Sequence, residues 1–177
     1  TLGTIATQNA NAVTISGGTV DGTTLGATTA SSGAFTTLSS TGSTTFKALV
    51  TAGETTTVSA TAATGTINYD VLTQGVLYFT SNASANWTVN VRGNSGTSLN
   101  TLMAVGETRI ITFLLPQGTT AYYQSAFTID GSSVTPKWQG GTAPTSGNAS
   151  SIDSYTYVII KTGSAAFTVL AAQTKFA

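Results

Sequence analysis

Between residues 87 and 92 large apolar and polar side chains alternate, with Trp87, Val89 and Val91 on one parity and Thr88, Asn90 and Arg92 on the other. Successive side chains of an extended chain point to opposite faces, so this period of two predicts a half-buried strand. The same alternation marks Phe127-Thr-Ile129-Asp130, Tyr155-Thr-Tyr157 leading to Ile159, and Phe167-Thr-Val169. Val76 to Thr80 and Arg109 to Leu115 are more continuously apolar, as expected of strands covered on both faces. Gly75, Gly93, Gly96, Gly106, Gly118, Gly131, Gly140-Gly141 and Gly163 punctuate these runs at hairpin-like distances. The one helical spacing lies in Ser98 to Val105, where Leu99, Leu102 and Met103 predict a single turn. Residues 46–177 are therefore expected to form an all-β unit: an antiparallel, jelly-roll-like β-sandwich of about eight to ten short strands. Its core is expected to place Ile110, Phe113, Phe127, Ile129, Tyr157, Ile159, Phe167 and Val169 over the face carrying Trp87, Val89 and Val91.

Residues 1–45 have different physics. Leu2, Ile5, Val13, Ile15, Val20, Leu25, Phe35 and Leu38 stand among Thr, Ser, Gly, Ala and Asn, and Asp21 is the sole charge. So few apolar side chains cannot offset the chain entropy of folding alone. Composition by itself fits a linker. The spacing suggests more, because Ile15, Val20 and Leu25 recur every five residues around Gly17-Gly18 and Asp21-Gly22, and Phe35-x-x-Leu38 is echoed by Phe46-x-x-Leu49. Short extended pieces with one anchor each need burial that neighbouring chains supply, as in a thin rod with copies of the same side chains around an axis. The expectation for 1–45 is a Gly/Thr/Ser-rich shaft ordered only in an obligate assembly.

Composition narrows the function. Six Lys+Arg balance six Asp+Glu, and charged residues make up 7% of the 177. Phosphate binding needs a basic surface, so no nucleic-acid partner is expected. Polarity comes from 38 Thr and 19 Ser, near a third of the chain. The sequence holds no His and no Cys, which removes Ser-His-Asp and Cys-His nucleophiles, His/Cys zinc sites, thiol redox centres and disulfides. Apolar runs such as Val76 to Phe79 and Tyr157 to Ile160 are far below the roughly 20 residues that cross a bilayer as a helix. The expectation is a soluble chain without membrane insertion or a leader. Asn82, Asn86 and Asn148 open glycosylation-type triplets of the kind a Ser/Thr/Asn-rich chain generates by chance.

The remaining chemistry is thin. A carboxylate pair would have to come from Asp21, Glu54, Asp70, Glu107, Asp130 and Asp153. Asp21-Gly22 and Asp130-Gly131 read as turns, Gly106-Glu107 as a corner before the strand at Arg109, Asp70 as a strand residue and Asp153 as the start of one. No Ser lies three residues before Lys47, Lys137, Lys161 or Lys175, so no Ser-x-x-Lys nucleophile exists. No acidic cluster resembles a calcium loop. No enzyme activity and no cofactor or metal are expected. Sugar binding needs only aromatic faces with amides and hydroxyls, and the candidate contacts are Tyr122, Tyr123 and Trp138. Trp87 is expected to point inward instead, with Val89 and Val91. Of the adjacent Tyr122 and Tyr123, alternation would send at least one ring toward the surface.

The stretch Asn11-Ala-Val-Thr-Ile-Ser-Gly-Gly-Thr-Val-Asp-Gly-Thr-Thr-Leu-Gly-Ala-Thr-Thr29, with Ser32-Gly-Ala-Phe-Thr-Thr-Leu38, resembles a shaft element of tail fibres and other appendages of tailed bacteriophages. Residues 136–177, from Pro136-Lys-Trp138 to the ending Gln173-Thr-Lys-Phe-Ala177, look like the C-terminal region of fibre proteins from marine and cyanobacterial phages. The resemblance implies a homotrimeric appendage on the virion surface, with an interwoven shaft and a β-rich terminal domain. Its partners would be other virion proteins and a host cell-surface glycan, and the family carries no fixed catalytic or receptor-contact residues onto these positions. The leading expectation is a tail-fibre protein whose terminal domain touches the host or a neighbouring virion protein. A capsid-decorating fibre or adaptor without a receptor role is the alternative. A carbohydrate-degrading tailspike ranks last, since long repetitive β-helices and acidic clefts are not evident.

Overall fold

The computed structural model describes residues 53–177; the chain divides into Thr1–Ala48 and Leu49–Ala177, and all of the described part belongs to the second unit. The shaft expected over 1–45 lies outside the described residues. In chain order the elements are β1 (Thr56–Ala62), β2 (Gly65–Asp70), β3 (Val76–Ser81), β4 (Trp87–Arg92), α1 (Leu99–Leu102), β5 (Thr108–Pro116), β6 (Gln124–Ile129), β7 (Ser132–Ser133), β8 (Lys137–Trp138), a 3-10 turn over Gln139–Gly141, β9 (Ile152–Gly163) and β10 (Ala166–Phe176). The regular structure of the described unit is almost entirely strand, and its one α-helix is the single turn that Leu99 and Leu102 predict.

The strands form a six-stranded sheet, β1-β3-β5-β9-β10-β8, and a four-stranded sheet, β2-β4-β6-β7. From β1 to β6 the chain passes from one sheet to the other at every step, and each strand lies parallel to the one laid down a turn earlier. Thus β1 pairs with β3 and β3 with β5 in the larger sheet, while β2 pairs with β4 and β4 with β6 in the smaller. The uniformly antiparallel arrangement expected from the glycine spacing does not hold for these strands, which pair in parallel. Most of those glycines lie on crossings between sheets. Tight hairpins occur where β6 turns into β7 at Asp130-Gly131, both at positive φ (51° and 80°), and where β9 turns into β10 at Ser164-Ala165. The long β9 is the antiparallel neighbour of both β5 and β10, and so joins the parallel strands to the C-terminal hairpin.

Inward-facing side chains of both sheets share one core. Trp87, Val89 and Val91 are buried together, as their alternation predicts, with Phe113, Phe127, Ile129, Tyr157, Ile159 and Val169. Aromatic rings meet between the sheets: Tyr69 with Phe113 at 5.5 Å, Trp87 edge-on to Tyr155 at 5.7 Å, and Phe127 with Tyr157 at 4.9 Å. Such pairs add about 0.5–1.5 kcal/mol each beyond the area they bury. Two members of the expected core need correction. Ile110 is 66% exposed, because it has the opposite parity from Ile111, Phe113 and Leu115 on β5, and those three take the inward positions. Phe167 is half-buried at the rim.

Candidate functional site

Trp138 sits on the short β8, at the edge of the larger sheet, in parallel register with Ala171. Its half-buried indole stands edge-on to both Tyr155 and Tyr157, with centroids 6.3 Å away in each case, so it closes one side of the core. Tyr123 immediately precedes β6. Its N–H donates to Asn86 Oδ1 at 3.1 Å and its carbonyl accepts from the Trp87 N–H at 3.3 Å. Tyr123 and Trp138, 15 positions apart in the chain, line one cleft of about 270 Å3. Its remaining walls include the hydroxyl residues Ser125, Ser133 and Thr135 and the rings of Pro136 and Pro144, and no charged side chain lines it. A neighbouring depression, lined by Gln139, Gln173 and Lys175, shares Trp138 and Pro144 with the cleft.

Tyr122 is turned to another use. Its half-buried ring packs against the core, and its backbone is clasped by one side chain: Gln117 Oε1 accepts from the Tyr122 N–H at 2.9 Å, and Gln117 Nε2 donates to the Tyr122 carbonyl at 2.6 Å. Tyr122 and Tyr123 precede β6 rather than lying within it, so the strand alternation expected for this pair does not apply and both rings are half-buried. Gln117 also donates to Asp153 Oδ2 at 2.9 Å, and the same oxygen accepts from the Asn148 N–H at 3.0 Å. Asp153 is wholly buried, and its Oδ1 has no protein partner among the described residues. A Cβ at Gly147 would run into Tyr122 O, Gln117 Nε2 and, at 2.7 Å, Asp153 Oδ2. Gly147 therefore allows the loop carrying Ala143 and Pro144 to pack directly on this polar knot. The knot fixes the loop that forms one wall of the cleft.

The acids are spread among structural tasks. Asp130 accepts from the backbone N–H groups of Leu99 at 2.7 Å and Asn100 at 2.9 Å, satisfying the first turn of α1 beside the Ser98 cap. Asp153 lies by Tyr122 at the start of β6, whereas Asp130 follows its end. Six strand residues at about 3.3 Å each put the two carboxyls roughly 20 Å apart, beyond the ~10 Å limit for a glycosidase pair. Asp70 pairs with Arg92 at 2.6 Å, and Glu107 with Arg109 at 2.6 Å. The buried Lys161 ammonium donates to the carbonyls of Asn100 and Met103, the latter at 2.8 Å, closing the other end of α1. Among the described residues no three acidic side chains gather as metal ligands, and no helix is long and apolar enough to cross a membrane. Asp21 and Lys47 lie outside the described residues.

Titration is shifted in Arg92, raised by its hydrogen bond to Asp70, and in three core tyrosines. Burial pushes the Tyr69 hydroxyl up to about 12, and it donates to the Gly75 carbonyl. Burial likewise raises Tyr155, which accepts from Gln173 Nε2 at 3.0 Å, and Tyr157, which donates to Gln124 Oε1. These rings face the interior; the cleft is lined by the half-buried rings of Tyr123 and Trp138, with the buried Phe127 at its floor.

Comparison with protein-family models, with curated proteins and with solved structures finds no match. The sequence picked out Tyr123 and Trp138 one by one. Their meeting, and the Gln117–Asp153–Gly147 support behind them, depend on pairings between distant segments for which the chain carries no local signal.

Proposed function

We propose that this protein is a homotrimeric bacteriophage fibre of the tail-fibre type, with its terminal β-sandwich contacting a host surface glycan and its 1–45 segment serving as shaft. The observation that carries the adhesive part is the uncharged cleft, which presents two aromatic rings among hydroxyl and amide groups and continues past Trp138 into a second depression. Aromatic faces stack on the C–H faces of sugars while hydroxyls and amides match their O–H groups, and a groove extended on both sides of one indole suits a chain of sugar units. The spacing of the acids supports adhesion over hydrolysis. Residues Asn11 to Leu38 and 136–177 supply the fibre part of the reading through their resemblance to phage appendages.

The test is attachment of the full chain to host cells and to their isolated surface polysaccharide. Tyr123→Ala is expected to weaken attachment tenfold or more with unchanged melting, and added polysaccharide is expected to alter the fluorescence of Trp138, since Trp87 is sealed in the core. A second reading, an adaptor on the virion without a receptor role, draws on the packing of Trp138 against Tyr155 and Tyr157, which gives the indole a structural task of its own. Failure of the unmutated chain to attach to cells or to bind the polysaccharide would favour that reading, whereas unchanged attachment in Tyr123→Ala and Trp138→Phe would move the contact away from the cleft. Release of oligosaccharides would overturn both.

A further inference from the structure

The two sheets turn very different faces outward. Along the smaller sheet the outward row is Asn68, Asp70, Asn90, Arg92 and Thr128, tied together by hydrogen bonds and an ion pair suited to water. Along the larger sheet the outward positions of β1, β3, β5, β9 and β10 fall into register as Val58–Tyr78–Leu114 and Ile110–Val158–Leu170, with Pro116–Ile152–Phe176 at one end. Five of the seven exposed large hydrophobics of the described residues lie here: Val58, Ile110, Ile152, Leu170 and Phe176. Only Thr, Ser and Ala separate them on these strands, and Lys137 on β8 is the charge at the border. A shallow apolar groove of about 390 Å3 over Val158, Leu170 and Ala172 continues the patch to β8.

We infer that this outer face of the six-stranded sheet is the surface by which copies of the same chain associate, the sheets facing one another across a common axis. β5, β9 and β10 run in register over the nine positions Thr108–Pro116, and β1 and β3 flank about half of that length; at about 4.8 Å between strands and about 3.3 Å per residue the footprint is on the order of 600 Å2 in plan, more once side chains stand in relief. That approaches the ~800 Å2 per partner of a stable interface and lies at the upper end of the ~300–600 Å2 apolar patches of monomers. A second copy is the occupant the chemistry favours. The face is uncharged, so apposing two of them buries no ion and meets no like-charge repulsion, whereas a charged partner would find no counter-charge. The threefold count rests on the fibre reading; the assignment of the face does not.

The chain contains no cysteine, so one introduced thiol is an unambiguous probe. Ile110→Cys and Leu170→Cys, each in the full chain, are compared with Thr66→Cys on the outward parity of the smaller sheet, all three sites being exposed. The measurements are the maleimide labelling rate and the mass by sedimentation velocity, with melting curves to establish that each variant folds. The expected result is an oligomer in which the thiols at 110 and 170 react at least tenfold more slowly than the one at 66. A protected face in a dimer would uphold the interface and overturn the threefold fibre. An oligomer whose three thiols react alike would overturn the interface and leave the fibre reading standing, with association lying elsewhere. A monomer would overturn both.

Discussion

Asn90 donates its side-chain amide to Asn68 at 2.8 Å, straight across the parallel pair β2–β4, and its own Oδ1 accepts from Thr128 Oγ1 at 2.9 Å and from the Gly131 N–H at 2.9 Å. Three strands laid down in separate turns of the chain are thereby tied by one side chain. Asn90→Ala removes all three bonds and leaves the Gly131 N–H without its acceptor. A loss of about 1–3 kcal/mol is expected in denaturant melts, where Thr88→Ala, two residues earlier on the same face, should cost far less. Equal effects would mean that the ladder contributes nothing specific.

Asp130 is a helix-capping residue, so its removal should act on stability. Asp130→Ala is expected to lower the unfolding free energy by about 0.5–2 kcal/mol, and Asp130→Asn, which keeps one acceptor oxygen, by less. Hydrogen exchange at Leu99 and Asn100 should rise in both variants. Unchanged exchange would place the carboxylate elsewhere in solution.

Trp87 and Trp138 should part company. Trp87 is 1% exposed, and Trp87→Ala is expected to cost about 3–5 kcal/mol, a large part of a domain stability of about 5–15. Trp138→Ala, at the half-buried rim, should cost clearly less. Thermal melts of both decide it, and the reverse order would mean that β8 anchors the core more firmly than its two residues suggest.

These predictions also mark how far the sequence was legible. Period two placed Trp87, Val89 and Val91 inside, and it carried enough information to exclude Ile110, which is three positions from Phe113 and hence on the opposite face. Strand direction was not legible, because a parallel and an antiparallel ladder bury the same alternation. Thr56 meets Val76, and Val76 meets Thr112, with no repeated motif marking either interval. At the cleft, aromatic type singled out Tyr123 and Trp138 but could not separate Tyr123 from Tyr122, whose role follows from Gln117 reaching its backbone. Asp130 read correctly as a turn residue. Its capping of a helix 31 positions earlier was invisible, since the bond exists only once β6 lies beside β4.

Gly147→Ala tests the support of the cleft without touching its lining. The added methyl collides with Tyr122 O, Gln117 Nε2 and Asp153 Oδ2, so the loop bearing Ala143 and Pro144 must lift away. The expected outcome is a fall in attachment comparable with Tyr123→Ala, together with a destabilisation of about 1–3 kcal/mol from the loosened polar groups. Gly140→Ala, a strained but unpacked position, serves as the comparison and should leave attachment intact.

Alkaline pH should unfold the domain through its tyrosines. With Tyr69 raised to about 12 in the folded state against about 10 in the unfolded chain, stability is untouched below about pH 10 and falls as pH climbs from 10 toward 12, because the unfolded chain releases its proton first. That displacement corresponds to roughly 2–3 kcal/mol, and burial of Tyr155 and Tyr157 acts in the same direction. Denaturant melts between about pH 8 and about pH 11 should show the decline, with the phenolate absorbance of these rings rising only as the fold is lost. Early, reversible ionisation of all six tyrosines would contradict the burial.

The position of β9 bears on the order in which the molecule is made. Synthesis runs from β1 onward, yet β5 has its second neighbour only when Ile152–Gly163 has been translated, and β9 in turn needs β10. Until then β1, β3 and β5 form a parallel stack with one flank open, closed over long loops that reward slowly. The two-residue turn at Ser164-Ala165 lets β9 and β10 zip within microseconds of their release from the ribosome, so this hairpin, made after β1 to β6, is the template onto which the earlier strands settle. A chain interrupted before Ile152 would then lack the strands that complete the larger sheet, and with them Val158, Leu170 and Phe176 of its apolar outer row.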